Sequence, residues 1–196
     1  MKLNAKQLRK GKGGRGKDKV KKQEIYIVLD NVLDTYNIGS VFRLADAVAA
    51  KKVYLCGQTE TPPNHRIKKA SINTTEWVEW EYCETAVEAI NKIKGIPSTM
   101  LREYSLSDPA QPESRSVKDI QVVAVEQSTK SVPYDKFDYT LPICLIVGNE
   151  TTGVSKEVLD MADATVELPM FGVNISLNVM VCLGIVLYEV IERTSN

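Results

Sequence analysis

The stretch LPMFGVNISLNVMVCLGIVLYEVI, Leu168–Ile191, decides how the rest of the chain is read. Leu168-Pro169-Met170 has the look of a strand end, and Phe171-Gly172-Val173-Asn174 that of a tight loop. From about Ile175 the residues run apolar through Leu187. A helix that is apolar on every side is a buried helix. With Asn178, Glu189, Glu192 and Arg193 so close on its flanks, it is too short to span a bilayer. Ser176 and Asn178 stand where this helix is expected to start. A helix start offers free N–H groups and a positive dipole end. Both residues therefore read equally as helix caps or as ligand contacts.

The whole chain has 196 residues, enough for one domain with a sizeable core, and a formal net charge of zero. That zero hides an asymmetry. Residues 1–22 hold ten Lys and Arg and one acid, Asp18, a net +9, so the remainder carries −9. The Gly-rich text KGKGGRGKDK has nothing to pack, so residues 1–23 are expected to be a disordered basic arm. Arg9, Lys10 and Arg15 are its candidate RNA contacts, since Lys and Arg neutralise phosphates and release counterions. A solvated tail kept for solubility is the competing reading. Cys56, Cys83, Cys144 and Cys182 are scattered, without a C-x-x-C pair, which suits reduced thiols in a cytoplasmic protein. With a single histidine, His65, no metal centre is expected. No apolar segment follows the basic N-terminus, so no signal peptide and no membrane association is expected.

From residue 24 the text alternates between strand and helix. Glu24–Asn31 and Lys52–Cys56 are apolar runs bounded by polar residues, and Val41, Leu44, Ala45 and Val48 between them have helical spacing. This predicts strand, helix from near Ile38, strand, the unit of a parallel α/β sheet. A short helix over His65–Ser71 carries a second basic cluster, Arg66, Lys68 and Lys69. Trp77–Tyr82 alternates like a strand, and Thr85–Lys94 is an amphipathic helix. The Pro- and Ser-rich stretch 95–118 reads as a long excursion with one short element near Met100–Tyr104. Gln121–Gln127 and Ala164–Leu168 are strands, and Ser128–Asp138 is a loop with one helical turn. Leu141–Gly148 is a strand apolar enough for the centre of a parallel sheet, and Ser155–Ala162 is a helix.

Three polar loops follow strands and open helices: Asn37-x-Gly39-x-x-x-Arg43, Gly148-Asn149-Glu150-x-x-Gly153, and Pro169-Met170-x-Gly172-x-x-x-Ser176-Leu177-Asn178. Ligands of open parallel sheets bind at the C-terminal strand ends. Each loop alone is a weak signal, because its glycines serve a tight turn equally well. Their order and the text of the third make the set specific. No G-x-G-x-x-G follows the first strand and no P-loop occurs, which argues against an ordinary nucleotide-binding Rossmann enzyme.

In these three motifs the chain resembles the SPOUT superfamily, and within it the SpoU/TrmH-type RNA ribose methyltransferases, over about residues 24–193. LCGQTETPP, WVEWEY and VAVEQ are similar to family text between the motifs. The resemblance implies an α/β fold with a parallel sheet and a deep C-terminal trefoil knot, although knots are otherwise nearly absent from proteins. It makes residues 24–196 one methyltransferase domain. It also implies a homodimer through the C-terminal helix, and S-adenosyl-L-methionine as cofactor.

That cofactor would meet Val125, Glu126, Gly148, Asn149, Gly153, Leu168, Met170, Gly172, Ser176 and Leu177, largely through backbone. The implied reaction transfers a methyl group to a ribose 2′-hydroxyl of tRNA or rRNA. Arg43 is assigned to that hydroxyl, as general base or as holder of the adjacent phosphate. A guanidinium pKa above about 12 favours the second role. Asn37, Glu150, Ser176 and Asn178 would orient Arg43, the ribose and the cofactor. A surface ion pair of Arg43 with Asp46 is the bland alternative. A catalytically silent RNA-binding or ribosome-assembly factor is the alternative for the whole chain. Two departures bear on RNA choice: Lys69–Thr74 stands where many relatives have a Gly-Ala pair, and 95–118 resembles an insertion. No N-terminal ribosomal-protein-like domain is expected, and the basic arm would take its place.

Overall fold

The computed structural model describes residues 20–96 and 119–194. The arm residues Arg9, Lys10 and Arg15, and the short element expected at Met100–Tyr104, lie outside the described residues. Seven strands form one sheet: β1 (Gln23–Asp30), β2 (Ala50–Cys56), β3 (Trp80–Cys83), β4 (Gln121–Val125), β5 (Val132–Pro133), β6 (Ile143–Gly148) and β7 (Ala164–Glu167). Their order is β3-β2-β1-β6-β4-β7-β5, and every pairing is parallel. The helices are α1 (Thr35–Ala47), α2 (His65–Ser71), α3 (Ala86–Lys94), α4 (Lys156–Met161) and α5 (Val179–Thr194).

Strand alternation sends the two sides of the sheet into two cores. Ile25, Ile27, Leu29, Leu145 and Val147 pack with Ile38, Phe42 and Ala45 of α1 and with Leu183, Val186 and Leu187 of α5. Tyr26, Val28, Cys144 and Ile146 pack with Ala89, Ile90 and Ile93 of α3 and with Val158 of α4. Covered on both faces, β6 is buried at all six positions, which explains its unbroken apolar text.

Several boundaries differ from those the sequence suggests. Helix α1 begins at Thr35, because Asp34 caps it by accepting from the Tyr36 N–H at 2.7 Å. Asn37 and Gly39 are thus within its first turns instead of at its mouth. The Trp77–Tyr82 strand shortens to Trp80–Cys83. A 3₁₀ turn at Thr74–Glu76 precedes it, and the Trp77 indole donates to Asp46 Oδ1 at 2.7 Å. The loop after β4 contains the two-residue edge strand β5 besides its helical turn, Tyr134–Lys136.

The largest correction concerns α5. It starts at Val179, where Asn178 Oδ1 accepts the Met180 N–H at 2.9 Å, so Ile175–Leu177 are loop. Nor is the helix buried all round in this chain. Leu183, Val186, Leu187 and Val190 face the core at helical spacing, each contributing roughly 1.5–3 kcal/mol. Val181 and Tyr188 are exposed, as are Phe171, Val173 and Ile175 in the loop before it.

Candidate active site

Strand register brings the three motif loops together. Asp30 at the end of β1 pairs with Gly148 at the end of β6, and Val125 of β4 pairs with Val166 of β7. Since β6 is inserted between β1 and β4, the sheet's order switches at this point, where open parallel sheets form crevices. A cleft of about 480 Å³ opens there. Val125, Glu126, Gly148, Asn149, Gly153, Leu168, Met170, Ser176 and Leu177, all expected to meet the cofactor, line it, together with Glu150 and Asn178. Gly172 is outside this lining, and a Cβ built on it meets nothing within 4 Å.

One wall is a turn that requires its glycines. Asn149 and Gly153 exchange backbone hydrogen bonds of 3.0 and 2.9 Å, and Gly153 has φ +72°. A Cβ on Gly148 would lie 2.2 Å from the carbonyl carbon of Gly153, and one on Gly153 would lie 2.3 Å from Glu126 Oε2. The Glu126 carboxylate is committed to the turn, accepting from the N–H groups of Val154 at 2.9 Å and Gln127 at 2.8 Å. Asn149 braces the turn further. Its Oδ1 accepts from Thr151 and Thr152 at 2.8 and 3.0 Å, and its Nδ2 donates to the Asn31 carbonyl at 2.9 Å.

Glu150 ties the turn to α1. Its Oε1 accepts from Asn37 Nδ2 at 2.9 Å and from the Asp34 N–H at 3.1 Å, and its Oε2 accepts from the Leu33 N–H at 3.1 Å. Asn178 Nδ2 donates to Asn37 Oδ1 at 3.0 Å, which brings the third motif into the same network. Desolvation pushes the Glu150 carboxyl upward. The hydrogen bonds from Asn37, Leu33, its own N–H and Asp34 outweigh that and hold it below the ordinary carboxylate range. A carboxylate so engaged fixes the orientation of its neighbours.

Ser176 is exposed, lines the cleft and does not cap α5. Asn178 does cap α5, and its Nδ2 also reaches Asn37. Arg43 is exposed on α1 and is not part of the cleft wall. It forms no ion pair with Asp46. Arg66, Lys68 and Lys69 are exposed on α2. Among the described residues no cluster of His, Cys, Asp or Glu could hold a metal, and no helix is long and apolar enough to cross a membrane.

Sequence reasoning missed Asp30, Asn31 and Cys182. Asp30 is buried, yet its Oδ2 accepts the Ser155 N–H at 2.8 Å and its Oδ1 accepts from Asn31 Nδ2 at 2.9 Å, fixing the far side of the glycine turn. A carboxylate closing an apolar strand was the available signal. Cys182 lines the cleft from the first turn of α5, and nothing in its apolar surroundings marks it.

A cleft of this size at a sheet's switch point, walled by glycine turns and apolar side chains with a few convergent polar groups, defines a site for a small-molecule cofactor. The chain belongs to the SpoU rRNA methylase family, whose family model matches residues 24–188. It is 30% identical over 175 residues to the tRNA (guanosine(18)-2′-O)-methyltransferase of Aquifex aeolicus, covering 86% of this chain and 69% of that protein. The Escherichia coli K12 protein of the same description is 26% identical, with 88% and 65% covered. Among solved structures, the AdoMet-bound rRNA methyltransferase from Sinorhizobium meliloti superposes with a TM-score of 0.70 at 26% identity, covering 90% of this chain and 59% of that one. The chain thus spans roughly two thirds of the length of the relatives it matches.

Proposed function

We propose that this protein is an S-adenosylmethionine-dependent methyltransferase acting on a ribose 2′-hydroxyl of tRNA or rRNA. One observation carries the reading: the linkage Asn178–Asn37–Glu150 joins all three motifs at the rim of a single cleft. The relatives named for tRNA 2′-O-methylation support the class of reaction, and the AdoMet-bound rRNA methyltransferase supports the cofactor.

The residues present fit the cofactor. The cleft lies within the roughly 300–1,000 Å³ range of small-molecule sites. The Gly148–Gly153 turn presents backbone along one wall, while Leu168, Met170 and Leu177 offer apolar wall and Ser176 a polar group. When bound, S-adenosylmethionine supplies a methyl group activated on a positively charged sulfur. The protein's part is alignment, since holding two groups in line removes much of a barrier. Glu150, Asn37 and Asn178 fix α1 and the loop before α5 relative to the turn, and Ser176, exposed in the cleft lining, orients the ribose or the cofactor. Arg43, always charged, holds the phosphate beside the reacting sugar and stabilises developing negative charge.

The same reading covers the parts beyond the cleft. Residues 24–196 form the methyltransferase domain, and the basic arm 1–23, with Arg66, Lys68 and Lys69, contacts RNA phosphates. The segment from β6 to α5 threads as the trefoil knot of SpoU/TrmH proteins. Support comes from the 168–178 loop, which returns to line the cleft beside the 148–153 turn before α5 packs on the α1 side of the sheet. The exposed apolar residues of α5 and its preceding loop suit a homodimer interface. A cytoplasmic location goes with an RNA substrate.

The test is a calorimetric titration with S-adenosylmethionine. Saturable one-site binding is expected. A flat titration would reject the reading and favour a catalytically silent RNA-binding or assembly factor.

A further inference from the structure

We propose that Tyr36 is the platform on which a base of the RNA stacks beside the reacting nucleotide, a specificity-determining contact that rests on the methyltransferase reading above. Tyr36 is 49% exposed in the first turn of α1, and Leu33, also 49% exposed, lies three residues before it. The Tyr36 ring has no aromatic or cationic partner among the described residues. Its backbone is nevertheless held rigidly. The Tyr36 N–H donates to Asp34 Oδ1, Leu33 N–H donates to Glu150 Oε2, and the next residue, Asn37, donates to Glu150 Oε1. A large, exposed aromatic on a backbone so held, next to Asn37, which is bonded to two residues of the cleft lining, is suited to a flat ligand.

Helix geometry gives the direction of that ligand. At about 100° per residue, Tyr36, Ser40, Arg43 and Ala47 share one strip of α1. On one side of the strip is Gly39, against which α2 packs so closely that a Cβ there would lie 2.6 Å from Ala70 Cβ. On the other side are Asn37, bonded to Asn178, and Leu44, packed on Gly184. The strip therefore runs between the basic helix α2, with Arg66, Lys68 and Lys69 exposed, and α5. Tyr36 is at its cleft end, and Arg43 lies about 10 Å further along the axis. An aromatic at the rim and cations behind it match the bases and phosphates of a single strand, in which bases stack on aromatic side chains and phosphates track positive charge. Stacking needs a ring and not a hydroxyl, so phenylalanine should serve equally.

The test uses the full chain with Tyr36→Ala and Tyr36→Phe, and bulk tRNA from the source organism as probe. Direct RNA affinity and the KM and kcat of methyl transfer are both measured. Tyr36→Ala should weaken RNA affinity and raise KM for RNA about five- to hundredfold, with S-adenosylmethionine affinity as in wild type. Tyr36→Phe should restore both RNA values. Unchanged RNA affinity in Tyr36→Ala, or failure of Tyr36→Phe to rescue, overturns the proposal. So does a shift of Tyr36→Ala from dimer to monomer in sedimentation, which would make a second copy of this chain the occupant of the strip. Wild-type protein that binds RNA without methylating it rejects the methyltransferase reading alone, because the affinity comparison still decides the role of Tyr36.

Discussion

Asn178 donates a 3.0 Å hydrogen bond to Asn37, across 141 residues of chain. Both amides are fully oriented by what lies beyond them. Asn178 Oδ1 accepts the Met180 N–H, and Asn37 Nδ2 donates to Glu150 Oε1. The result is a one-directional series from the start of α5 through α1 to a carboxylate, in which each bond polarises the next.

Coupling between the two asparagines is the first consequence. Asn37→Ala leaves partners of a nearly buried amide unpaired and should cost about 1–3 kcal/mol. Asn178→Ala loses the α5 cap as well, at about 1 kcal/mol. The double variant should be less destabilised than the sum of the two, by about 0.5–3 kcal/mol, in urea unfolding. Strict additivity would mean that the bond contributes nothing.

Glu150 gives a pH dependence of definite sign. Its folded-state pKa lies below that of the unfolded chain, about 4.3. Its stabilisation is therefore complete above that value and is lost as pH falls through the folded pKa. Glu150→Gln keeps the shape but turns an amide donor toward one of the N–H groups the carboxylate accepts. The wild type should exceed this variant in urea midpoint at about pH 6, and the gap should shrink by about pH 3. A gap that is constant with pH would contradict the network.

The glycines divide into two kinds. Gly148→Ala puts a Cβ within 2.2 Å of backbone and should be among the most destabilising changes, several kcal/mol, whereas Gly153→Ala displaces the Glu126 carboxylate at a positive φ and should cost about 1–3 kcal/mol. Gly172→Ala enters open space and should stay within about 0.5 kcal/mol of wild type in thermal unfolding. The proposed function assigns the cofactor to that backbone, so a fall in S-adenosylmethionine affinity is the expected outcome, and unchanged affinity would remove Gly172 from the site.

The apolar outer face of α5 predicts association. Val181 and Tyr188 are exposed there, 38% and 56%, on a helix whose sequence is apolar all round. Sedimentation should find a dimer. Val181→Glu with Tyr188→Glu should give a folded monomer with unchanged far-ultraviolet circular dichroism. A wild-type monomer would refute this assignment.

Much of this architecture can be read from residue order. The alternation of apolar runs and helical spacing gives the parallel sheet, and the buried text of Ile143–Gly148 gives its central strand. The second and third motifs give much of the cleft wall, because glycines and amides that must form tight turns also have distinctive spacing, and the first gives the helix that Asn37 ties to them. What could not be read depends on the third dimension. The all-round apolar text of Val179–Ile191 does not say which face meets this chain's core and which is left exposed. The start of α5 at Val179 is set by Asn178 capping it, in competition with an apolar run that begins at Ile175. Asp30 and Tyr36 carried no motif. Their significance comes from Ser155 arriving 125 residues later at one, and from an uncovered strip of helix at the other.

The central claim, methyl transfer to a ribose, is tested most directly by product chemistry. Full-length protein, S-adenosylmethionine and bulk RNA from the source organism are incubated, and the RNA is digested to nucleosides for mass spectrometry. The wild type should yield a 2′-O-methylated nucleoside, and Arg43→Ala should yield none while keeping wild-type cofactor affinity. A methyl group found on a base, or an undiminished yield from Arg43→Ala, would contradict the account.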